Sequence, residues 1–111
     1  MSKLAEKIRR ARERVVPDID GHTYTIRRPT DEDVLFGKVG PGLGMVRAYV
    51  IGWDFKELDL VPGGGPEAVP FDAEAWGEWV ADKPAVWDRL SDAIVGLYKE
   101  HVATLEADAK N

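Results

Sequence analysis

The last third of the chain carries an apolar stripe at helical spacing. From about Ala85 to Ala107, apolar residues recur every three or four positions, while the opposite side is charged. The stripe consists of Val86, Leu90, Ile94, Leu97, Tyr98, His101, Val102 and Leu105. A helix of this length spans roughly 35 Å at about 1.5 Å per residue. In a chain of 111 residues it is the longest rigid element, so we expect the core to form around it.

Local signals predict two short helices before it. Thr30 is a suitable N-cap for a helix from about Asp31 to Val39, and acids in its first turn suit the positive end of the helix dipole. Asp72 is a suitable N-cap for a second helix, which carries two tryptophans. This helix stops at Asp82-Lys83-Pro84, where Asp82 can cap the long helix and Pro84 suits its first turn.

Between these helices the chain is less regular. Gly40-Pro41-Gly42-Leu43-Gly44 interrupts the first helix. The apolar run Met45–Ile51 follows, and its pattern is ambiguous between a buried helix and a strand. Residues 54–70 contain three prolines and a triple glycine, which predicts a long mobile loop. This loop lacks the preceding strand and the Gly-Lys-Ser/Thr ending of a phosphate-binding loop.

In the N-terminal part, the spacing of apolar residues changes from helical to strand-like at about residue 15. From Ser2 to Val16, Leu4, Ile8, Ala11 and Val15 form a thin amphipathic stripe, so a helix here needs a partner surface. Residues 15–28 predict a small hairpin, because β-branched and aromatic residues follow an Asp20-Gly21 turn. Pro17 restricts the first strand of this hairpin to a sheet edge.

These patterns predict one domain, residues 1–111, of mainly α class: a small helical bundle around a long C-terminal helix, with a short N-terminal hairpin. Residues 1–14 form a basic helix or a mobile arm, 15–28 the hairpin, and 30–107 a helical body with the loop at 54–70. A chain this short cannot bury two adequate cores. With 44% hydrophobic and 32% charged residues, we expect it to fold.

Charge is distributed unevenly along the chain. Residues 1–28 carry eight Lys/Arg and four Asp/Glu, while residues 29–111 carry seven and sixteen. The two parts therefore have net charges of +4 and −9, which account for the total of −5. An acidic body repels nucleic acid, so the basic segment alone is a weak argument for binding it. The sequence has no apolar run of signal-peptide or membrane-span length, and we expect no contact with a membrane.

Residues suited to catalysis or metal binding are scarce. There is no cysteine, and His22 and His101 are the only histidines. The acids Asp31, Glu32 and Asp33 are consecutive, so on a helix they point about 100° apart and cannot converge on one ion. Asp18-x-Asp20-Gly21 lacks the later glutamate of a calcium loop and is interpreted as a turn. We therefore expect no enzymatic activity, no metal and no cofactor.

The aromatic residues are the only feature of the sequence that points to a function. Trp76, Trp79 and Val80 share one helical face, and four tryptophans are many for a chain of this length. Most of them fit a core, but one or two exposed aromatic rings would be suitable anchors for a protein partner. The candidate partner-binding residues are Trp53, Phe55, Trp76 and Trp79.

The order of segments resembles a known family. An apolar run ends in Gly52-Trp53, a variable acidic loop follows, and Pro70-Phe71 precedes a short helix, an Asp-x-Pro and a long helix. Together with Tyr24–Asp33, this order resembles the tail assembly chaperones of long-tailed bacteriophages and prophages, encoded before the tape-measure protein. The match covers residues 22–111, and the glycine-rich insertion and residues 1–14 depart from it. The resemblance implies a helix for Met45–Ile51.

The resemblance also implies a function. Such a protein coats the tape-measure protein and keeps it soluble during tail assembly, with the major tail tube protein as a possible second partner and self-association as an option. It would act in the cytoplasm of the bacterial host and be absent from the mature virion. Many such genes also yield a longer product by frameshifting, and Ala109-Lys110-Asn111 is compatible with an A-rich slippery sequence.

Two other functions remain open. One is a structural tail or head-tail joining protein that is retained in the virion. The other is a small DNA-binding or antitoxin-like regulator that uses the basic N-terminal segment. Detection in purified particles would favour the first, and salt-dependent binding to duplex DNA would favour the second.

Overall fold

Helices pack around a small antiparallel sheet. The computed structural model describes residues 2–40 and 42–110. In chain order the elements are α1 (Lys3–Arg10), β1 (Glu13–Ile19), β2 (His22–Arg27), α2 (Asp31–Leu35), α3 (Leu43–Tyr49), β3 (Val50–Trp53), α4 (Glu57–Leu60), α5 (Ala73–Val80) and α6 (Pro84–Lys110). The predicted long C-terminal helix is confirmed as α6. The break at Gly40–Gly44 includes Pro41, which lies outside the described residues, as does Asn111 in the proposed slippery region.

The predicted hairpin is part of a larger sheet, which corrects the fold class. The strands lie in the order β1-β2-β3, and both pairs are antiparallel. The run Met45–Ile51 is helical only up to Tyr49, and Val50–Trp53 then pairs with β2. The β preference of Val50 and Ile51 agrees with this second half of the run, which is a strand because it pairs with β2. The chain is mainly helical, but it contains a three-stranded sheet.

The turn between β1 and β2 has the expected chemistry. Asp20 and Gly21 both have positive φ, 52° and 78°, as the two central residues of a tight hairpin turn require. The register of β1 shifts between Val16 and Ile19, next to Pro17. β1 lies at the edge of the sheet, as Pro17 predicts, because a central strand would need the hydrogen bond that proline cannot donate.

The N-terminal helix is shorter than predicted. Ser2 caps α1 by accepting a hydrogen bond from the amide of Ala5, and the helix ends at Arg10. Val15 belongs to β1, where it pairs with Thr25, so it does not extend the helical stripe. Around Val15 the chain forms a strand and not a further helical turn, because β2 supplies hydrogen-bond partners that an isolated helical turn lacks.

The core lies between one face of the sheet and helices α3, α5 and α6. Tyr24 and Ile26 alternate along β2 and are both fully buried. The remaining buried side chains come from β1, the three helices, β3 and the segment after it: Ile19, Met45, Val46, Tyr49, Val50, Phe55, Trp76, Val80, Val86, Leu90 and Ile94. From Ala103 to Ala109 every side chain of α6 is exposed, so its last two turns extend beyond this core.

The segment 54–70, predicted to be a long mobile loop, has an ordered path. It contains α4, and its two ends are joined by hydrogen bonds from the amide of Glu57 to the carbonyl of Glu67 and from that of Val69 to Phe55. The carboxylate of Glu57 also accepts from the amide of Gly65. The prediction that this segment moves in solution stays a prediction.

Candidate protein-binding surfaces

The four predicted partner-binding residues lie together in one aromatic cluster. The rings of Trp53 and Phe55 stack with centroids 4.9 Å apart, and those of Trp76 and Trp79 with centroids 5.8 Å apart. Phe55 joins the two pairs, since its centroid lies 4.8 Å from that of Trp79. β3, the segment after it and α5 thus contribute to one packed unit, as edge-to-face and offset-stacked aromatic rings favour.

Each tryptophan of this cluster also donates its indole N–H to a backbone carbonyl. Trp76 donates to Val46 at 2.9 Å, Trp53 to Val69 at 2.7 Å, and Trp79 to Asp59 at 3.2 Å. These bonds tie α5 to α3 and α4, and β3 to the end of the 54–70 segment. Because a buried indole N–H needs a partner, the cluster is built as part of the interior.

Burial divides the predicted site. Phe55 and Trp76 have no exposed surface, so in this conformation they cannot touch a partner. Trp53 and Trp79 are half-buried and keep some accessible surface. The prediction that the aromatic set binds a partner stays a prediction, and on geometry it rests on Trp53 and Trp79.

Trp79 lines an open groove between α4 and α5. The groove has a volume of about 640 Å³, and two of its apolar residues, Leu58 and Val61, are 48% and 54% exposed. Its acidic residues are Asp59, Glu78 and Asp82. We call this the α4–α5 groove. The ammonium group of Lys83 lies 5.2 Å from the centroid of the Trp79 ring, a cation–π contact.

A second apolar surface lies at the end of α2, and sequence reasoning missed it. Leu35 and Phe36 are 78% and 66% exposed, and Val34 beside them is also exposed. We call these three residues the α2 patch. The sequence does contain a signal for this patch: three consecutive large apolar residues cannot all lie on the buried face of one short helix, so at least one of them must be exposed.

The α2 patch is held in place by polar contacts at the start of α2. Thr30 and Asp33 form a reciprocal capping box, and the hydroxyl of Tyr49 donates to Asp33 at 3.2 Å. Asp31 accepts from the hydroxyl of Tyr98 at 2.8 Å. Asp33 therefore caps α2 and ties it to α3, while Asp31 ties α2 to α6.

Two carboxylates of α2 have lowered pKa values. Burial raises the pKa of Asp33, but hydrogen bonds from Thr30 and Tyr49 and the charge of Arg27 outweigh it, so the net pKa is lowered. The hydrogen bond from Tyr98 lowers the pKa of Asp31, and His101 adds to this effect. Both carboxylates are thus stabilised in their charged form.

The third apolar surface belongs to α1. Leu4 and Ile8 are one turn apart and are 71% and 57% exposed, and none of the described side chains of α1 is buried. The exposed cations on the same helix are Lys3, Lys7, Arg9 and Arg10. The predicted thin stripe therefore has no covering surface within the described residues.

The histidines have structural partners. His22 Nδ1 lies 2.9 Å from an oxygen of Asp54, whose other oxygen accepts from the amide of Thr23. His101 Nε2 lies 3.3 Å from Asp31. Across the described ranges, no group of three or more histidines and acids is placed to hold a metal ion.

None of the helices in residues 2–40 and 42–110 is long and apolar enough to cross a bilayer. Compared with protein-family models, with curated protein sequences and with solved structures, the chain gives no match.

Proposed function

We propose that the chain binds a long, helical, aggregation-prone protein and keeps it soluble, as a tail assembly chaperone does for the tape-measure protein. The proposal is supported by the order of sequence segments that resembles this family. It is also supported by apolar side chains that are exposed in small, separate groups among charged residues. A holding chaperone needs anchors of this kind, because one large apolar surface would cause self-aggregation.

The observation that carries the proposal is the exposure of Leu35 and Phe36. An exposed aromatic side chain next to an exposed leucine is an uncommon use of apolar surface and suits an interface anchor. The capping box and the Tyr98–Asp31 hydrogen bond fix the helix that presents it. A partner therefore meets a preorganised anchor, which lowers the entropic cost of binding.

Charge supports the same role. The body after residue 28 has a net charge of −9, so a complex with an apolar partner stays soluble through mutual repulsion. Affinity can remain moderate, because separate anchors can release one at a time while tail subunits assemble. The exposed parts of Trp53 and Trp79 are candidate additional anchors.

Co-expression with the tape-measure protein of the same genome tests the proposal. We expect the partner to move into the soluble fraction and to co-purify with the chain. Leu35→Ser/Phe36→Ser should reduce co-purification several-fold without loss of helicity. An insoluble partner with no association would reject the chaperone role, and detection of the chain in purified particles would indicate a structural tail protein instead.

A further inference from the structure

The apolar side of α1 faces away from the molecule. Leu4 and Ile8 lie on one helical face at i and i+4 and are both mostly exposed, while Ala5 and Glu6 are partly buried. An amphipathic helix normally turns its apolar face to the core. The same helix carries cations such as Lys7 and Arg10, so α1 presents two exposed apolar side chains with positive charges beside them.

The α4–α5 groove presents the complementary combination. Leu58 and Val61 supply exposed apolar surface, and Glu78 and Asp82 supply exposed negative charge. Its aromatic wall, Trp79, already carries one cation, the ammonium group of Lys83. The indole N–H of Trp79 is used by Asp59, so only the apolar and π surface of the ring faces a ligand. The groove thus suits a short basic amphipathic helix.

We propose that α1 of one copy binds in the α4–α5 groove of a second copy. The two surfaces are different, so the contact is heterologous: each copy that donates its helix still has a free groove. Copies therefore add head to tail, as an open chain or a closed ring.

The strength of the contact follows from its size and charge. A two-turn helix buries less than the roughly 1,000 Å² typical of a stable interface, so the association is weak. Because exposed charges contribute to it, salt should weaken it. We therefore expect monomers in dilute solution and growing assemblies at high concentration and low salt.

Sedimentation velocity of the full chain tests this expectation. The weight-average mass should rise with protein concentration and fall with added salt. Leu4→Ser/Ile8→Ser and, separately, Leu58→Ser/Glu78→Lys should each return the mass to that of the monomer. Leu35→Ser/Phe36→Ser is the matched control, since it removes two other exposed apolar side chains, at α2, and should leave the assembly unchanged. Unchanged helicity by circular dichroism verifies the fold of each variant.

A mixing experiment tests the head-to-tail geometry. The α1 variant keeps its groove, and the groove variant keeps its helix, so an equimolar mixture should form heterodimers and stop there. In addition, Lys7→Glu should weaken assembly, and Glu78→Lys on the other copy should restore it. A chain that stays monomeric at every concentration, or assembly that survives both double variants, would overturn the proposal. Binding of α1 to anionic lipid vesicles without self-association would overturn it in favour of a membrane surface.

Discussion

The aromatic cluster and helix α1 both contain apolar side chains, but the cluster buries them and α1 exposes them. In the cluster, Trp76 has no exposed surface and its indole N–H is paired. In α1, Leu4 and Ile8 are mostly exposed, and no side chain of the helix is buried. The first region therefore contributes to the free energy of folding, whereas the second is available for binding. Apolar character alone does not distinguish the two; the tertiary contacts do.

The largest expected effect is in the cluster. Trp76→Ala should lower the free energy of unfolding by about 3–5 kcal/mol, because it removes a fully buried ring and leaves a cavity. Denaturant titration followed by circular dichroism measures this loss. Trp79→Ala in the same helix is the matched control and should cost clearly less, since Trp79 is partly exposed. Equal losses for the two variants would contradict the division between buried and accessible tryptophans.

This division also explains how much could be predicted from the sequence. The long helix, the N-caps Thr30 and Asp72, and the edge position of β1 follow from local signals and are confirmed. β3 was not predicted, because its four residues become a strand only by pairing with β2, about 25 residues earlier.

The candidate surfaces were harder to predict than the fold. Trp76 and Trp79 share a helical face in the sequence, and only the packing of Phe55 and α4 distinguishes their exposure. In the sequence, Leu35 and Phe36 fall within the helix predicted from about Asp31 to Val39. The structure ends α2 at Leu35, and Gly37 follows with φ of 65°, so Phe36 lies beyond the helix end.

The next effect concerns the sheet that forms one wall of the interior. A Cβ atom on Gly52 would lie 2.9 Å from the Cβ of Thr25, its partner across the strands. Gly52→Ala should therefore destabilise the protein by about 1–3 kcal/mol through overpacking. Thermal unfolding measures the loss. Gly96→Ala, where an added Cβ meets open space, is the control and should not destabilise the protein. A tolerated Gly52→Ala would show that the sheet adjusts easily.

Asp33 links the interior to the α2 patch and should make the link sensitive to acid. The pKa of Asp33 is lower in the folded state than its usual value of 3.8. Asp33 therefore stabilises the fold fully above pH 3.8, and this stabilisation is lost as pH falls through the pKa of the folded state. Asp33→Asn should reduce this acid dependence and loosen α2. Unfolding curves measured between neutral and acid pH test the expectation; an unchanged slope would assign the acid sensitivity to other groups.

Tyr24 is an exception within the interior, because its buried hydroxyl has no hydrogen-bond partner among the described residues. Tyr24→Phe removes the cost of this unpaired group and should raise stability by about 1 kcal/mol.

Burial, with the charges of Asp20 and Asp54, raises the pKa of Tyr24 above its usual 10.0. As pH rises, the Tyr24 hydroxyl therefore loses its proton in the unfolded state before it does so in the folded state. The stability of the wild-type protein falls as pH rises above 10.0. The variant should lose less stability there, and a destabilised variant would indicate a partner for the hydroxyl.

The smallest expected effect is in α1, and it completes the comparison. Leu4→Ser/Ile8→Ser should change the free energy of unfolding of the monomer by no more than about 0.5 kcal/mol, because both side chains already contact water. The measurement must be made in dilute solution, where self-association does not contribute. At high concentration the wild-type chain should gain stability over the variant, since binding to a second copy stabilises the folded state by mass action. If the variant loses as much stability in dilute solution as Gly52→Ala does, α1 packs against its own molecule and belongs with the interior.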